Sequence, residues 1–343
     1  MKVLVTGVDG YIGSVLAPFL IRAGLDVVGL DTGYYRDGWL YTDNTERPRT
    51  PAVLSQDLRN VVESDLEGID AVVHLAELSN DPLGANNPKV THDINHRGSI
   101  HLAELAKKCG ASRFVYTSSC SVYGIGKDDW LTEESPVSPQ TAYAECKVAV
   151  EKDLRELADS DFCPVMLRNA TAYGASPRMR FDIVLNNLAG LAWTTNRIAM
   201  TSDGTPWRPL VHILDICEAI RCALVAPANA VRGEIFNVGH DGDNYRVRDI
   251  AEIVANAFQG CEVSFGPPDS DNRSYRVSFK KISERLPGFA CQWNATKGAE
   301  QLRGVFERVA MSGDTFEFRA FTRLKQLEYL LRTGQIDEQF YWT

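Results

Sequence analysis

An α/β fold built on a doubly wound parallel sheet is predicted by three observations. Short apolar runs rich in β-branched residues alternate with helical patterns along much of the chain. A glycine-rich turn lies between the first apolar run, residues 2–6, and the first helical pattern, residues 14–23. Gly7, Asp31, Ala76 and Ser119 all fall where predicted strands end, the edge at which such sheets bind ligands.

The first unit has the order that a dinucleotide site requires. The turn Gly7-Val8-Asp9-Gly10-Tyr11-Ile12-Gly13 joins strand to helix, and the next strand, 26–30, stops at Asp31. Glycines let the backbone approach a pyrophosphate, which the helix N-terminus then stabilises. A carboxylate at Asp31 would bind the adenosine ribose and repel a 2′-phosphate. The pattern therefore predicts NAD rather than NADP, with Gly7, Gly10, Tyr11, Ile12 and Gly13 in contact with it.

Two further strands extend the predicted cofactor site. Residues 53–58 read as a strand, with Asp57 and Leu58 expected near the adenine edge. Residues 70–76 read as a buried strand whose end, Leu75 and Ala76, would pass the cofactor ribose. An amphipathic helix is expected over 95–109, closed by Gly110.

A strand from Phe114 ends in hydroxyl residues and precedes a helical pattern over 142–158 that carries Tyr143 and Lys147. Residues four apart lie on one face of a helix. An ammonium beside a phenol favours the phenolate and lowers its pKa, so the tyrosine can exchange a proton with a sugar or alcohol oxygen. Tyr-x-x-x-Lys by itself occurs often by chance, and its meaning depends on the strand before it.

Composition excludes several classes of protein. The chain has 343 residues, 44% hydrophobic and 24% charged, with a net charge of −9. The negative charge argues against nucleic acid or an anionic membrane as main partner. We expect no membrane span, since the sequence has no run of about 18 apolar residues. We expect no signal peptide, since a glycine turn begins at residue 7. The eight cysteines show no metal-ligand spacing, so we expect no metal, reduced thiols and a cytoplasmic location.

The second half of the chain is expected to form mainly a smaller C-terminal substrate-binding lobe. We predict a NAD-binding domain over 1–174, with returning segments at about 210–240, and a lobe over 175–343. Predicted elements include a strand at 164–168 and helices at 182–193, 213–226, 245–258 and 321–331. A strand at 234–239 would return to the first domain.

The motifs together resemble the extended short-chain dehydrogenase/reductases, specifically the NAD-dependent nucleotide-sugar epimerases and dehydratases. They fall in the family's order from residue 1 to about 280. The motifs are Thr6-Gly7-x-x-Gly10-x-x-Gly13, Asp31, His74-Leu75-Ala76, Asn95, Ser118 to Gly124, Tyr143-x-x-x-Lys147, Arg168, Tyr173-Gly174 and Asn237-Val238-Gly239. The resemblance is specific for the family and less so for the reaction.

This resemblance implies roles for individual residues. Ser119 matches the catalytic hydroxyl residue, Tyr143 the catalytic base, and Lys147 the residue that binds the nicotinamide ribose and lowers the tyrosine pKa. On the substrate side, Arg208 and Arg273 match arginines near the nucleotide diphosphate, and a guanidinium suits phosphate because its fork makes paired bonds. Asn186 or Asn187 is a further candidate for the nucleotide or phosphates.

Two departures from the family pattern affect the predicted reaction. Family 4,6-dehydratases carry an Asp-Glu pair directly after the catalytic hydroxyl residue, and Cys120 and Ser121 stand there instead. These two remain accessory candidates only. The substrate pocket is also atypical, since Asn169-Ala170-Thr171-Ala172 precedes Tyr173 and Pro209 follows Arg208.

The favoured function is an epimerase, acting at C4 of a nucleotide sugar through a transient keto-sugar. That reaction needs one base and one hydride carrier and no extra acid pair. The alternatives are a keto-sugar reductase or dehydrogenase, then a 4,6-dehydratase, and last a non-catalytic NAD-binding protein. A homodimer is expected, since helices 96–109 and 142–158 have apolar residues on more than one side and similar family members pair through them.

Overall fold

The protein, known from a computed structural model, folds around a seven-stranded sheet. The structure describes residues 1–42, 51–79, 87–126, 130–267 and 274–343. The strands are β1 (Lys2–Thr6), β2 (Asp26–Asp31), β3 (Ala52–Ser55), β4 (Ala71–His74), β5 (Arg113–Ser119), β6 (Trp130–Leu131), β7 (Cys163–Asn169), β8 (Thr171–Tyr173), β9 (Arg197–Ala199), β10 (Trp207–His212), β11 (Ile235–Val238), β12 (Asn244–Arg246), β13 (Glu262–Ser264) and β14 (Arg276–Val277).

Helices connect most of these strands. The α-helices are α1 (Gly13–Arg22), α2 (Pro88–His92), α3 (Ser99–Lys108), α4 (Ala142–Leu157), α5 (Val184–Thr195), α6 (Ile213–Val225), α7 (Ala228–Val231), α8 (Val247–Ala257), α9 (Lys280–Arg285), α10 (Ala295–Arg308), α11 (Gly313–Glu317) and α12 (Arg323–Arg332). Short 3-10 helices lie at Leu58–Asn60, Glu63–Leu66, Cys120–Tyr123, Asp241–Asp243 and Arg319–Phe321, and a π-helical turn at Asp93–Gly98. In the described part of the chain, no helix is long and apolar enough to cross a membrane.

The central sheet has the order β11-β7-β5-β4-β1-β2-β3, and every neighbouring pair is parallel. The chain therefore winds outward from β1 in both directions, and the predicted fold class, a Rossmann-type doubly wound sheet, is confirmed. The register aligns Thr6 with His74 and Ser119 with Asn169, so the strands end together at one edge. Ligand-binding side chains from separate parts of the sequence meet at this edge.

Alternation along the buried strands explains why helices cover both faces of the sheet. In β1, Val3 and Val5 pack into one core cluster, while Leu4 packs into the cluster on the other face. All three side chains are fully buried. Strands that are apolar on both faces are typical of parallel sheets between two helical layers.

Two predicted boundaries differ in the structure. The helix expected from Asn95 begins earlier, at Pro88, where the Asn87 side chain accepts a hydrogen bond from the Val90 amide at 3.2 Å. Asn followed by Pro is a typical helix start. The strand expected to reach residue 58 ends at Ser55, because Asp57 instead caps the 3-10 helix that follows.

A second hydrophobic core lies between helices of the C-terminal half. Helices α5, α8 and α10 contribute apolar side chains to it, and the Phe181 ring lies between those of Phe306, Phe316 and Phe321. Strand β10 pairs with β8 and β12 in a small separate sheet, whereas β11 joins the central sheet. The division of the chain into domains at residue 174 stays a prediction.

Candidate active site

A cavity of about 880 Å³ opens along the carboxyl edge of the central sheet. Its volume lies in the range of ligand pockets for small molecules and cofactors. Its lining includes most of the residues predicted to act, brought together from seven segments: Gly7, Gly10, Tyr11, Ile12, Gly13, Asp31, Asp57, Leu58, Leu75, Ala76, Ser119, Ser121, Tyr143, Lys147 and Arg208. The cavity is therefore the candidate active site.

The glycine turn is shaped for close approach of a ligand to backbone. Gly7 has φ +69°, and a Cβ atom there would lie 2.9 Å from the Ala76 amide nitrogen. A Cβ atom on Gly13 would lie 2.2 Å from the Gly7 carbonyl oxygen. Side chains are thus excluded at both positions, and the N-terminus of α1 faces the cavity without a side-chain cap. Free amides and the helix dipole make this turn suited to a diphosphate.

Asp31 and Asp57 line the cavity near the ends of β2 and β3. The Asp31 carboxylate accepts the Gly33 amide at 2.7 Å and the Asp9 amide at 3.0 Å, and burial raises its pKa. Asp57 is held in a 2.8 Å ion pair with Arg59. Asp31 is therefore fixed in orientation beside the glycine turn, where a ribose would lie. Contact between Asp57 and adenine stays a prediction.

Ser119, Tyr143 and Lys147 all line the cavity. Ser119 ends β5, and its hydroxyl accepts the Ser121 amide at 3.1 Å. Thr141 caps α4 through the Ala144 amide at 3.2 Å, which places Tyr143 in the first turn. The Lys147 ammonium lies 5.4 Å from the centroid of the Tyr143 ring and donates to the Thr117 carbonyl.

A buried carboxylate that sequence reasoning did not assign a role lies beside Lys147. The Glu77 Oε2 atom is 2.5 Å from Lys147 Nζ, and Tyr116 donates to Oε1 at 2.7 Å. The two charged side chains are only 2% and 4% exposed. Burial raises the pKa of Glu77, which Lys147 opposes. Burial alone would lower the pKa of Lys147, but Glu77 and the Tyr143 oxygen outweigh it, and the Lys147 pKa is raised.

A second buried network holds α4, the helix that carries Tyr143 and Lys147, in place. Arg168 makes a bidentate pair with Glu151, at 2.9 and 2.7 Å, and Ser118 donates to the same carboxylate at 2.5 Å. The Arg168 guanidinium also donates to the Tyr123 hydroxyl at 3.0 Å. Arg168 therefore joins α4 to β7, which fixes the helix that carries Tyr143 and Lys147.

His74 is a buried structural histidine. Its ring nitrogens contact Thr6 Oγ1 and Ser99 Oγ, each at 2.7 Å, and link β1, β4 and α3. Burial, with a smaller contribution from Lys147, lowers the pKa of His74 to about 3. The ring is therefore neutral at physiological pH, as expected for a hydrogen-bonded core residue.

The accessory candidates after Ser119 differ from one another. Cys120 is buried, its thiol donates to the Arg168 carbonyl at 3.3 Å, and burial raises the thiol pKa. That environment disfavours a thiolate base. The Ser121 hydroxyl, by contrast, makes no hydrogen bond in the described structure and lines the cavity.

A side cavity of about 160 Å³ adjoins the main one beyond Ser119. It shares the lining of Ser121, Asn169 and Arg208, and Asn169 Oδ1 is buried without a hydrogen-bond partner among the described residues. Two buried polar atoms without partners are costly unless a ligand satisfies them. The side cavity is thus suited to a ligand that carries hydroxyl groups.

The structure corrects one predicted substrate residue. Asn186 is fully buried on the inner side of α5 and does not line the cavity. Its amide accepts the Gly174 amide at 3.0 Å and donates to the Tyr11 hydroxyl at 3.2 Å and to the Arg180 carbonyl at 3.1 Å. Every polar atom is thus committed within the protein, and Asn186 positions Tyr11 instead. Arg273 lies outside the described residues.

Sequence reasoning gave no role to several polar residues of the cavity, among them Glu77, Arg180 and Arg323. Glu77 directly follows a buried strand end, a position that could have drawn attention. Arg180 is paired with Asp182 at 2.9 and 3.0 Å. Arg323 opens the last helix, far from every motif, and no local signal marks it. Among the described residues, no group of three or more His, Cys, Asp or Glu could hold a metal ion.

The chain is similar to known proteins over most of its length. Residues 3–239 match the model of the family described as NAD dependent epimerase/dehydratase family. A UDP-glucose 4-epimerase of Mycolicibacterium smegmatis is 31% identical, with 83% of this chain and 92% of the relative covered. A UDP-glucose 4-epimerase of Bacillus subtilis is 26% identical, over 88% and 94%.

The fold has solved counterparts as well. The structure of UDP-glucuronic acid 4-epimerase from Bacillus cereus, in complex with UDP-glucuronic acid and NAD, superposes with a TM-score of 0.75 at 23% identity. That match covers 90% of this chain and all of the other. With a family match over 3–239 and a cavity lined by the motif residues, the chain belongs to the NAD dependent epimerase/dehydratase family.

Proposed function

We propose that the chain is an NAD-dependent epimerase that inverts C4 of a nucleotide sugar through a transient keto-sugar. One observation carries the proposal: Ser119, Tyr143 and Lys147 share a cavity with the glycine turn and Asp31, while neither residue after Ser119 is a carboxylate. Relatives named UDP-glucose 4-epimerase, 26–31% identical, support the same reaction class.

The residues present fit NAD. The excluded Cβ positions at Gly7 and Gly13 leave a cradle for the diphosphate. Asp31 would accept the adenosine ribose hydroxyls, and its negative charge disfavours a 2′-phosphate. Leu58, Leu75 and Ala76 supply apolar walls. When bound, NAD takes a hydride from a substrate carbon and returns it.

Ser119, Tyr143 and Lys147 together bind the sugar oxygen and transfer its proton. Ser119 donates a hydrogen bond to the sugar oxygen at C4 and orients it. Tyr143 takes the proton from that oxygen and gives it back once the keto-sugar has turned its other face. Lys147 stabilises the phenolate of Tyr143 by its positive charge. Glu77 and the Thr117 carbonyl hold Lys147 in place.

Elimination of water would require an acid and a base near C5 and C6 of the sugar. The Cys120 thiol donates a hydrogen bond to the Arg168 backbone carbonyl, and among the described residues the Ser121 hydroxyl has no hydrogen-bond partner that would make it a base. Glu77 is a carboxylate on the cavity wall, but Lys147 and Tyr116 occupy its two oxygens. These contacts support epimerisation over dehydration.

The side cavity supports a site for the sugar. The Ser121 hydroxyl and the Asn169 Oδ1 atom, buried without hydrogen-bond partners among the described residues, would bind its hydroxyls, and Arg208, which also lines this cavity, would bind the diphosphate. The departure from the family pattern at Asn169 thus becomes a feature of the substrate pocket, and the identity of the sugar follows from these residues rather than from the family.

Incubation of the purified enzyme with a panel of nucleotide sugars, beginning with UDP-glucose and UDP-galactose, tests the proposal. We expect interconversion of C4 epimers, resolved by chromatography with mass spectrometry, without net formation of NADH. Net oxidation or reduction of added cofactor would instead show a dehydrogenase or keto-sugar reductase. Loss of the mass of water from the product would show a dehydratase, and no turnover with any member would favour a non-catalytic protein.

We also propose a homodimer in the cytoplasm. Partly exposed apolar residues on α3 and α4, Ile100, Leu105 and Val148, support pairing of these helices between subunits. The eight cysteines are all free, which suits a reducing compartment. Light scattering after size exclusion would give twice the chain mass for a dimer, and the chain mass alone would refute it.

A further inference from the structure

The C-terminal helix contributes a buried positive charge to the cavity. Thr322, Arg323 and Leu324, at the start of α12, line it together with Asp31 and the glycine turn. Arg323 is 2% exposed. Its guanidinium lies 3.9 Å from the centroid of the Tyr35 ring, and no carboxylate of the described residues comes within ion-pair distance of it.

Such a charge is costly without a partner. Burial lowers the pKa of Arg323 to about 10, and Arg180 adds to the shift, while Tyr35, Asp182 and Asp31 oppose it without a direct ion pair. Buried charges in proteins are normally paired or bind a ligand. The neighbouring Arg180 shows the contrast, since Asp182 neutralises it through two hydrogen bonds. Arg323 therefore has the environment of a residue whose partner is an anion in the cavity.

The helix end adds a second attraction for the same anion. α12 has ten residues, and its N-cap residue, Thr322, makes no side-chain capping hydrogen bond. The first amides of a helix and its dipole favour negative charge. Since Arg323 is the first residue of the helix, the guanidinium and these amides can act on one phosphate group.

The segment after α12 is joined to the cofactor side of the cavity. Trp342 Nε1 donates to the Thr32 carbonyl at 2.7 Å, and Arg59 donates to the Gln339 carbonyl at 2.9 Å. The Arg59 guanidinium also lies 3.7 Å from the centroid of the Tyr341 ring. These contacts hold the tail against the residues next to Asp31 and Asp57 and so fix the position of α12.

We propose that the C-terminal segment 322–343 completes the nucleotide site, with the Arg323 guanidinium and the first turn of α12 binding a phosphate of a bound nucleotide diphosphate. Arg323 lines the cavity together with Asp31 and the glycine turn, which favours the diphosphate of the dinucleotide, held between this helix and the glycine turn. The inference rests on the proposed binding of NAD in this cavity. It assigns a ligand contact to a part of the chain that lies beyond the family match at residue 239.

Calorimetry on the full chain after removal of bound nucleotide tests this assignment. The variants are Arg323→Met, Arg323→Lys and, as matched control, Arg332→Met at the exposed end of the same helix. Loss of a charged hydrogen bond weakens binding about 10- to 100-fold, so we expect that change for NAD in Arg323→Met. Arg323→Lys keeps the positive charge but lacks the paired guanidinium donors, so its affinity for NAD should lie between those of Arg323→Met and the wild type. Arg332→Met should bind NAD as tightly as the wild type.

Two further measurements separate the outcomes. UDP titrated into the NAD-saturated protein shows which diphosphate is bound: weaker NAD binding assigns the dinucleotide, and weaker UDP binding alone assigns the nucleotide sugar. Thermal melting without ligand should show Arg323→Met at least as stable as the wild type, because the variant removes a buried charge that makes no direct ion pair with a described carboxylate. Unchanged affinity for both ligands would overturn the proposal, as would a destabilised ligand-free variant whose affinities are unchanged. A wild type that binds no NAD would instead overturn the proposed function.

Discussion

Glu77→Gln is expected to destabilise the protein through the loss of its ion pair with Lys147. The pair is 2.5 Å long, and its members are 2% and 4% exposed. Glutamine keeps the shape and can still accept the Tyr116 hydroxyl, so the change removes charge more than packing. Among the described residues, the Thr117 carbonyl is then the remaining acceptor to which the buried Lys147 donates.

The magnitude follows from burial. Removing one partner of a buried ion pair costs about 3–5 kcal/mol, because the remaining charge is uncompensated. When Lys147 is removed, Glu77 can take up a proton and become neutral, since burial already raises its pKa. When Glu77 is removed, the charge of Lys147 stays buried, so that variant is expected to lose more stability. We therefore expect about 3 kcal/mol for Glu77→Gln and a smaller loss, about 2 kcal/mol, for Lys147→Met.

A double-mutant cycle measured by urea unfolding at neutral pH is the assay. The double variant should cost about 2 kcal/mol less than the sum of the two single variants, since neither charge is then left alone. The matched control is the exposed pair Lys152–Glu156 on the same helix, 3.9 Å apart. Exposed pairs of this type contribute about 0.3–0.5 kcal/mol. If the Glu77–Lys147 cycle were additive within about 0.5 kcal/mol, the buried pair would not be an energetic unit.

Three further expectations follow from the site and its supports. Tyr143→Phe should lower kcat by about 10²- to 10⁴-fold while NAD stays bound, measured by turnover and by cofactor content after purification; full activity would refute its role as base. Cys120→Ala should leave kcat close to wild type, because its thiol is committed to the Arg168 carbonyl, whereas a large loss would restore the thiol as a catalytic group. His74→Gln should weaken the acid sensitivity of stability. The His74 pKa is lowered to about 3, so the unfolded chain binds a proton below its ordinary pKa of 6.5 that the folded protein does not, and stability is lost as pH falls between these values. The variant should reduce the slope of unfolding free energy against pH by up to about 1.4 kcal/mol per unit, and an unchanged slope would contradict a buried neutral ring.

Local pattern was enough to predict the sheet and to select candidate catalytic residues that line one cavity. Gly7, Asp31, Ala76 and Ser119 were expected at strand ends, and the parallel register brings all four to one cavity. Such residues can be predicted from the sequence because their position depends on local structure. A glycine is needed where no side chain fits, and a carboxylate stands where a strand ends. Tyr143 and Lys147 are readable because helical spacing alone puts them on one face.

The misplaced Asn186 shows where local pattern fails. A polar residue in a predicted lobe helix can face a ligand or the interior, and sequence periodicity does not decide between them. Only the packing of α5 against Tyr11 and Gly174 shows that its amide is used inside the protein. The early start of α2 at Pro88 has a local cause, Asn87 as cap, that was overlooked.

The sequence by itself thus determined the fold class, and it was enough to propose the dinucleotide cradle and the Ser119–Tyr143–Lys147 set, because each depends on spacing within one strand, turn or helix. Tertiary structure decided which charges accompany them. Glu77 reaches Lys147 across 70 positions of the chain, and Arg323 reaches the cavity from the last helix. Long-range contacts of this kind leave no periodic trace, since their energy comes from burial that exists only once the chain has folded.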